Sequence, residues 1–460
     1  MAMSRYVSHS LENSMASEIA YIIKGFPRLS ETFISNEVLL LEQSGVTIKL
    51  FSIKHPDEAL QQSTVSQINA KPVYLPSVTS LSNTFLPVWL LQNIRPFIKA
   101  HMKLALTQPI NFFSTLIKAS SMMMIYRQNI FANPKKVFLK EFIQAVFIAD
   151  QIIQSGNIRH IHSHFCHGAT TIALFVSKLT NIPFSFTAHA KDIYQKTQNP
   201  GDLLIKKIKA ASFVATCTGA NKRYLDQLDD PDKIKLIYHG LDISFFTPDK
   251  PIPNKNIQEI LSVGRYVEKK GFQYLIEACS LLKNRGVQFR CRIIGEKGDA
   301  YPSLKALVEK LELEELVSLE GPKAHLELKR IYQQSKIFAL PCQIVDDGDR
   351  DGIPNVLVEA MACGLSVVST HISGIPELIK HQHNGLLIEE KNSIDLADAL
   401  EQLLTDKSLS AQLAENGRNT VIQEFDSEQT TQHLRRLFDE CVDCQHHDAS
   451  GNGEVSSANT

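Results

Sequence analysis

Two successive series of short apolar runs, separated by one proline-rich stretch, set the terms on which this chain can fold. The first series reads EIAYIIKGF, VTIKLFSI, IRHIHSHF, PFSFTAH, SFVATC and IKLIYHG; the second reads EILSVGR, FRCRIIG, LVSLEG, KIFALPC, LSVVST and GLLI. Helix-like segments separate the runs. Short continuous apolar runs suit strands buried on both faces, and their alternation with helices predicts parallel sheets. FFTPDKPIPNKN (245–256) lies between the series and reads as a linker. The expected architecture is α/β, with two Rossmann-like domains at 18–244 and 257–425 facing a central cleft. Ligands of such sheets sit at the carboxyl ends of the strands. A helix over 426–444 is expected to pack back on the first domain. Residues 1–17 and 445–460 are polar and aperiodic, which predicts disorder.

At 460 residues the chain is too long for one compact core. Its net charge of −1 gives no general attraction to nucleic acid. Eight cysteines show no framework spacing, so reduced thiols are expected. The N-terminus lacks the apolar core of a signal peptide, and no run approaches the ~20 apolar residues that span a bilayer. A cytoplasmic protein is expected, or one held peripherally at the inner membrane face.

Anion chemistry is concentrated in the second half. VGRYVEKKGF (263–272) follows a predicted strand and places Gly264, Arg265 and Lys270 on the connection to a helix. Two cations at a strand's carboxyl end are suited to a diphosphate. DGIPNVLVEAMACG (351–364) then opens a second helix near Asn355, after a loop shaped by Gly352, Ile353 and Pro354. The N–H groups of its first turn form an anion site. Glu359 falls one turn inside this helix, where it can accept hydrogen bonds from a ribose diol. Asp351 stands ahead of the helix, beside the position of a transferred sugar. Either acid alone would also suit a capped helix with a charged face.

Taken together these segments resemble the family 4 glycosyltransferases of GT-B fold. The family's Glu-x7-Glu signature is matched by Asp351-x7-Glu359, with Asp in the first position. SVGRYVEKKG, STHISGIPELI and YHGLDISFFTP are similar to its other elements, and the likeness covers about 160–425. FPRLSETFISNE (26–37) resembles a subgroup acting in colanic-acid-like exopolysaccharide synthesis. The resemblance implies a retaining hexosyltransferase using a nucleotide diphosphate sugar and a saccharide acceptor, lipid-linked in this reading. It assigns catalytic roles to His189, Asp351, Arg265 and Lys270. Donor binding falls to Glu359, Gly352, Ile353, Pro354, Asn355, Gly264 and Lys323. The acceptor side falls to Arg28, Ser30, Glu31 and His164, with Ser30 expected to cap a helix ending before Gly45. No metal or other cofactor is implied. An epimerase on the same fold and a non-catalytic sugar-nucleotide-binding protein are the rival readings. An oxidoreductase is weaker, because no Gly-x-Gly-x-x-Gly follows a strand.

Three further features remain. His160, His162 and His164 share one strand face at period two, but a zinc site needs more converging ligands than one strand supplies. DDGD (346–349) is expected to be a solvated acidic loop, and CVDCQHH (441–447) holds only one Cys-x-x-Cys pair. Residues 81–140 contain no Asp or Glu but eight Lys or Arg, interleaved with Phe85, Trp89, Phe97, Phe112, Phe113 and Met122–Met124. Helical content is expected over 81–155. Basic, aromatic helices of this kind bind anionic membrane surfaces.

Overall fold

The computed structural model describes residues 18–28, 31–56, 63–81, 84–127, 133–195, 197–248 and 258–451. The expectations for 1–17, for Ser30 and for most of the linker lie outside the described residues.

Two all-parallel sheets carry the molecule. The first contains β1 (Glu18–Gly25), β2 (Thr47–Lys54), β3 (Val73–Tyr74), β4 (Ile158–His164), β5 (Phe184–Ala188), β6 (Val214–Thr216) and β7 (Ile234–Leu236), in the order β3-β2-β1-β4-β5-β6-β7. The second contains β8 (Glu259–Val263), β9 (Arg290–Ile294), β10 (Val317–Glu320), β11 (Ile337–Leu340), β12 (Ser366–Thr370) and β13 (Leu386–Ile388), in the order β10-β9-β8-β11-β12-β13. Each of the twelve apolar runs became a strand. The two-residue β3 escaped notice because its prolines and short length leave no pattern. Both sheets reverse their strand order beside the first strand of the series, at β1/β4 and β8/β11. These switch points open crevices at the carboxyl ends, where ligands of doubly wound sheets bind.

The final helix, Ser427–Gly451, runs past the expected boundary at 444, so part of the tail expected to be disordered is helical. It crosses back to the first domain. There Leu434, Leu437 and Phe438 join a core with Ile19, Tyr21 and Ile23 of β1. Burying each of these side chains contributes about 1.5–3 kcal/mol, enough for one helix to tie the two domains together.

Between β3 and β4 the chain forms the helices Leu86–Asn93, Ile98–Thr107, Pro109–Ile125 and Val137–Ser155. The apolar residues of this insertion divide sharply. Trp89, Phe97, Phe112 and Met122 are buried core. Leu91, Leu106, Ile110 and Ile117 point outward with 69–82% exposure, and Phe85, Phe113 and Met124 join them outside. The aromatic set is thus only partly available to a membrane. Lys103 is held by Asp150 at 2.8 Å, and Lys136 Nζ donates to the Thr84 carbonyl at 2.9 Å. Among the described residues no helix is long and apolar enough to cross a membrane.

Candidate active site

The β8/β11 switch point gathers a cluster of charged groups, Lys269, Lys270, Asp349 and Asp351. The loop after β8 reaches Gly271 at φ +65°, and a Cβ there would lie 1.8 Å from the Pro341 carbonyl oxygen. Only glycine lets this loop press against the end of β11. Gln343 secures the contact, its backbone N–H donating to the Lys269 carbonyl at 2.9 Å and its side chain to the Glu268 carbonyl at 2.7 Å. Lys269 and Lys270 are thereby delivered to Asp351: Lys270 Nζ lies 2.8 Å from Oδ2, and Lys269 Nζ 3.3 Å from Oδ1. Burial alone would raise the Asp351 carboxyl, but Lys270 and then Lys269 outweigh it and hold the group well below the usual carboxylate range. Arg265 is exposed on the same loop and makes no ion pair with any described residue. Gly264 stands beneath Lys270, its side-chain position 3.2 Å from Cε.

The helix Asn355–Ala362 begins directly after this cluster, with Pro354 in extended conformation at its N-cap and no acid in its first turn. Its positive end is therefore uncompensated. Glu359 lies on the cleft side but is buried, and Tyr332 donates to its Oε2 at 2.9 Å. Burial pushes its carboxyl up to about 7, against the opposing Tyr332 hydrogen bond. Asn355, Val358 and Glu359 line an interdomain cavity of about 480 Å³ together with His239, Phe33 and Ser427.

Across the cleft, His189 follows β5. Asp192 Oδ1 accepts from the His189 backbone N–H at 3.1 Å, and Asp192 Oδ2 accepts from the backbone N–H of Cys166. The His189 ring packs against Phe33 and Phe165, and its Nδ1 is 3.3 Å from His239 Nε2. Its Nε2 is buried without a partner among the described residues. Burial, then repulsion from His239, holds His189 well below its ordinary value, so the ring is neutral near pH 7.

Several sequence expectations are corrected here. His164 is not a cleft-lining donor: it is fully buried, and its Nε2 bonds Glu37 Oε1 at 2.9 Å. The helix after β1 starts at Thr32 with Glu31 in the N-cap position, although Gly45 does end it at φ +93°. Arg28 bonds Glu31 at 2.9 Å, while burial raises the Glu31 carboxyl against the opposing Arg28. Lys323 follows edge strand β10 and pairs with Glu320 and Glu327, not with the β8/β11 cluster. The DDGD loop is not merely solvated, since Asp349 meets Lys269 at 3.2 Å and Asp347 accepts from Gln195 of the first domain at 2.7 Å. Ile353 packs partly buried on the second-domain core. His160 and His162 share the Ser185 hydroxyl, at 2.7 and 2.8 Å. Glu37, His162 and His164 bring ligand atoms within 4.8 Å of one another, as do His189, Cys217 and His239. The Cys-x-x-Cys segment extends outside the side chains described.

The domains meet through a contact no motif announced. Glu377 accepts from the backbone N–H groups of Gly219 and Ala220, at 2.6 and 2.7 Å, and from Tyr238 Oη at 3.2 Å. A second-domain carboxylate thus caps the first-domain helix Gly219–Asp226. Beside it, a Cβ on Gly374 would lie 2.6 Å from Thr218 Cγ2, so this approach also requires glycine.

Residues 245–420 match the family of glycosyl transferases group 1. The chain is a glycosyltransferase. Over 440 residues it is 28% identical to an Escherichia coli (strain K12) protein named as the colanic acid biosynthesis glycosyltransferase WcaL, covering 92% of this enzyme and 99% of that protein. The amylovoran biosynthesis glycosyltransferase AmsK of Erwinia amylovora is 47% identical over 144 residues, which are 31% of this enzyme and 35% of AmsK. HepE of Anabaena, solved in complex with UDP-glucose, superposes with a TM-score of 0.65 at 15% identity, covering 92% of this enzyme and all of that chain. The enzyme has the GT-B fold.

Sequence reasoning missed Glu37, Lys269 and Glu377. Glu37 had a signal: it interrupts the buried helical stripe Ile34, Val38, Leu41. An acid within an apolar stripe needs a partner, and His164 supplies it. Lys269 and Glu377 sat inside quoted motifs, but their partners are distant in sequence.

Proposed function

We propose that the enzyme transfers a hexose from a nucleotide diphosphate sugar to a hydroxyl of a lipid-linked saccharide, with retention, in exopolysaccharide biosynthesis. The observation that carries this reading is that Lys270, paired with Asp351 just ahead of the helix Asn355–Ala362, stands at the β8/β11 switch point on the loop that also bears Arg265. That arrangement suits a diphosphate leaving group. Bond breaking between the anomeric carbon and the diphosphate oxygen builds negative charge, which preorganised cations and N–H groups stabilise without reorganising. The acceptor oxygen bonds the anomeric carbon on the face the diphosphate leaves, and a phosphate oxygen takes the acceptor proton. No metal is needed in this scheme, because the protein supplies the positive charge.

Glu359 accepts from the ribose diol, and Asp351 orients the sugar once the diphosphate draws Lys270 away. His189 Nε2, buried without a partner among the described residues, bonds a hydroxyl of the transferred sugar. The two-domain cleft holds donor and acceptor together, which supplies the proximity contribution. The exopolysaccharide setting is supported by the names of the bacterial relatives. Peripheral attachment at the inner membrane face is supported by the outward apolar residues of the insertion. The deciding experiment is incubation with a panel of nucleotide sugars and a membrane extract bearing lipid-linked saccharides, with product analysis by mass spectrometry and NMR. A lengthened saccharide with the donor's anomeric configuration is expected. A free epimerised nucleotide sugar, or binding without turnover, would reject the reading.

A further inference from the structure

The loop that carries His189 is tied to a buried cation. Lys207, on the helix Leu203–Ala210, has no exposure to solvent. Its Nζ donates to the Cys166 carbonyl at 2.8 Å, to Asn199 Oδ1 at 2.9 Å and to the His167 carbonyl at 3.1 Å. Three acceptors use all three hydrogens of an ammonium, so the charged form is the one that fits. Asn199 Nδ2 donates in turn to the Asp192 carbonyl at 3.0 Å. The two carboxylate oxygens of Asp192 join the backbone N–H groups of Cys166 and His189. Cys166, Asp192 and Asn199 are buried with Lys207.

This network supports a strained residue. Phe165, in the turn after β4, has φ +72°, a left-handed conformation that costs about 1–3 kcal/mol and persists only where its surroundings hold it. Its N–H donates to the Thr187 carbonyl at 2.9 Å, and its carbonyl accepts from Thr170 Oγ1 at 2.8 Å. The following residue, Cys166, is held on both sides, its N–H by Asp192 and its carbonyl by Lys207. The turn fixed in this way lays the Phe165 ring against His189, with centroids 4.4 Å apart. An apolar side chain in place of Lys207 would avoid the several kcal/mol that burying an ion costs. What it would lack is direction, because it cannot draw three oxygens from two separate segments to one point.

We propose that Lys207 is a positioning residue for the transfer: through Cys166, Asn199 and Asp192 it fixes the His189 loop and the Phe165 ring, and so holds the imidazole with Nε2 toward the sugar. The inference rests on the sugar contact proposed for His189 and adds the support that aims it. Lys207 itself touches no substrate. It acts through His189, which separates it from a residue that only keeps the domain folded.

A double-mutant cycle between Lys207 and His189 tests the assignment, with turnover of the full chain measured on the donor that the nucleotide-sugar panel identifies and the membrane extract as acceptor. Lys207→Met keeps the length of the side chain and removes its three bonds. It should cut kcat ~10- to 100-fold, the cost of a misplaced group in a preorganised site. In a His189→Ala background the same substitution should cost less than about twofold, because no ring is left to misplace. Asn199→Ala cuts the same network more gently and should repeat the pattern with a loss of ~3- to 10-fold. It decides the matter if circular dichroism shows that Lys207→Met does not fold. Losses that multiply in the double variants would make the network a support of the fold alone and overturn the inference, as would wild-type kcat in a folded Lys207→Met chain. A second readout needs no substrate. In ¹H–¹⁵N NMR spectra of the imidazoles, the His189 signals, assigned by their absence from His189→Ala, should shift in Lys207→Met and Asn199→Ala. Unchanged signals in both would overturn the inference. Wild-type turnover by His189→Ala would instead reject the sugar contact, and the ring signals would then decide by themselves whether Lys207 holds the loop.

Discussion

Lys270 Nζ rests 2.8 Å from Asp351 Oδ2, so the cation expected to meet the diphosphate is held by the acid expected to meet the sugar. Lys269 holds the other Asp351 oxygen at 3.3 Å and also reaches Asp349. The acid therefore keeps one partner when a donor draws Lys270 away. Lys270→Ala should cut kcat by ~10²–10³-fold, the cost of removing one preorganised donor to a developing oxyanion. Lys270→Arg should recover part of this loss. Steady-state kinetics on the true donor would check both, and wild-type turnover by a folded Lys270→Ala enzyme would refute the role.

Glu359 makes a pH prediction. Burial raises its carboxyl from 4.5 to about 7. Between those values the folded chain holds a proton that the unfolded chain releases. This stabilisation is complete below pH 4.5 and is lost as pH rises through 7, on the order of 3 kcal/mol across the window. Glu359→Gln should remove that loss, and denaturant melts at pH 5 and pH 8 would show it. Donor affinity should rise from pH 6 to pH 8 in the wild type, because the carboxylate accepts from a diol better than the acid. A pH-independent donor affinity would contradict the ribose role.

Glu377 makes a prediction about domain closure. Its carboxylate accepts from two backbone N–H groups of the opposite domain. Glu377→Ala removes charge-assisted bonds worth ~1.5–3 kcal/mol each. The domains should then open more often, read as a larger radius of gyration by solution scattering. The KM for donor should rise more than kcat falls. An unchanged scattering profile would count against the contact as a latch.

Activity should survive chelation of divalent ions if, as proposed, side-chain cations and a helix start meet the leaving group. A strict Mg²⁺ or Mn²⁺ requirement, abolished by changing Asp347 and Asp349, would assign the acidic loop to a metal. Elemental analysis of the purified chain would also expose an ion held by Glu37, His162 and His164.

Membrane attachment should depend on the outward apolar residues. Leu106→Ser, Ile110→Ser and Ile117→Ser together should release the enzyme from anionic vesicles, while each retained cation near the surface still contributes ~1 kcal/mol. Transfer to a short soluble acceptor should persist. Undiminished pelleting would leave this face without the proposed contact.

The linear order of residues was enough for the architecture. Apolar runs of strand length announce buried parallel strands because each carries its own signal, and the runs at 18–26 and 259–265 became the central strands on which both switch points turn. Motifs such as Asp351-x7-Glu359 were legible for the same reason, since one loop and one helix place them. Pairings between distant segments were decided only in three dimensions. His164 looks like a cleft residue at the end of its strand, yet packing against Glu37, 127 positions away, buries it. Glu377 looks like one acid in a short helix, yet it caps a helix 157 residues earlier. Lys207 looks like a surface cation on a short helix, yet it is buried and its ammonium holds the Cys166 carbonyl, 41 positions away. Periodicity reports which face of an element is apolar; what that face meets depends on how the sheets pack.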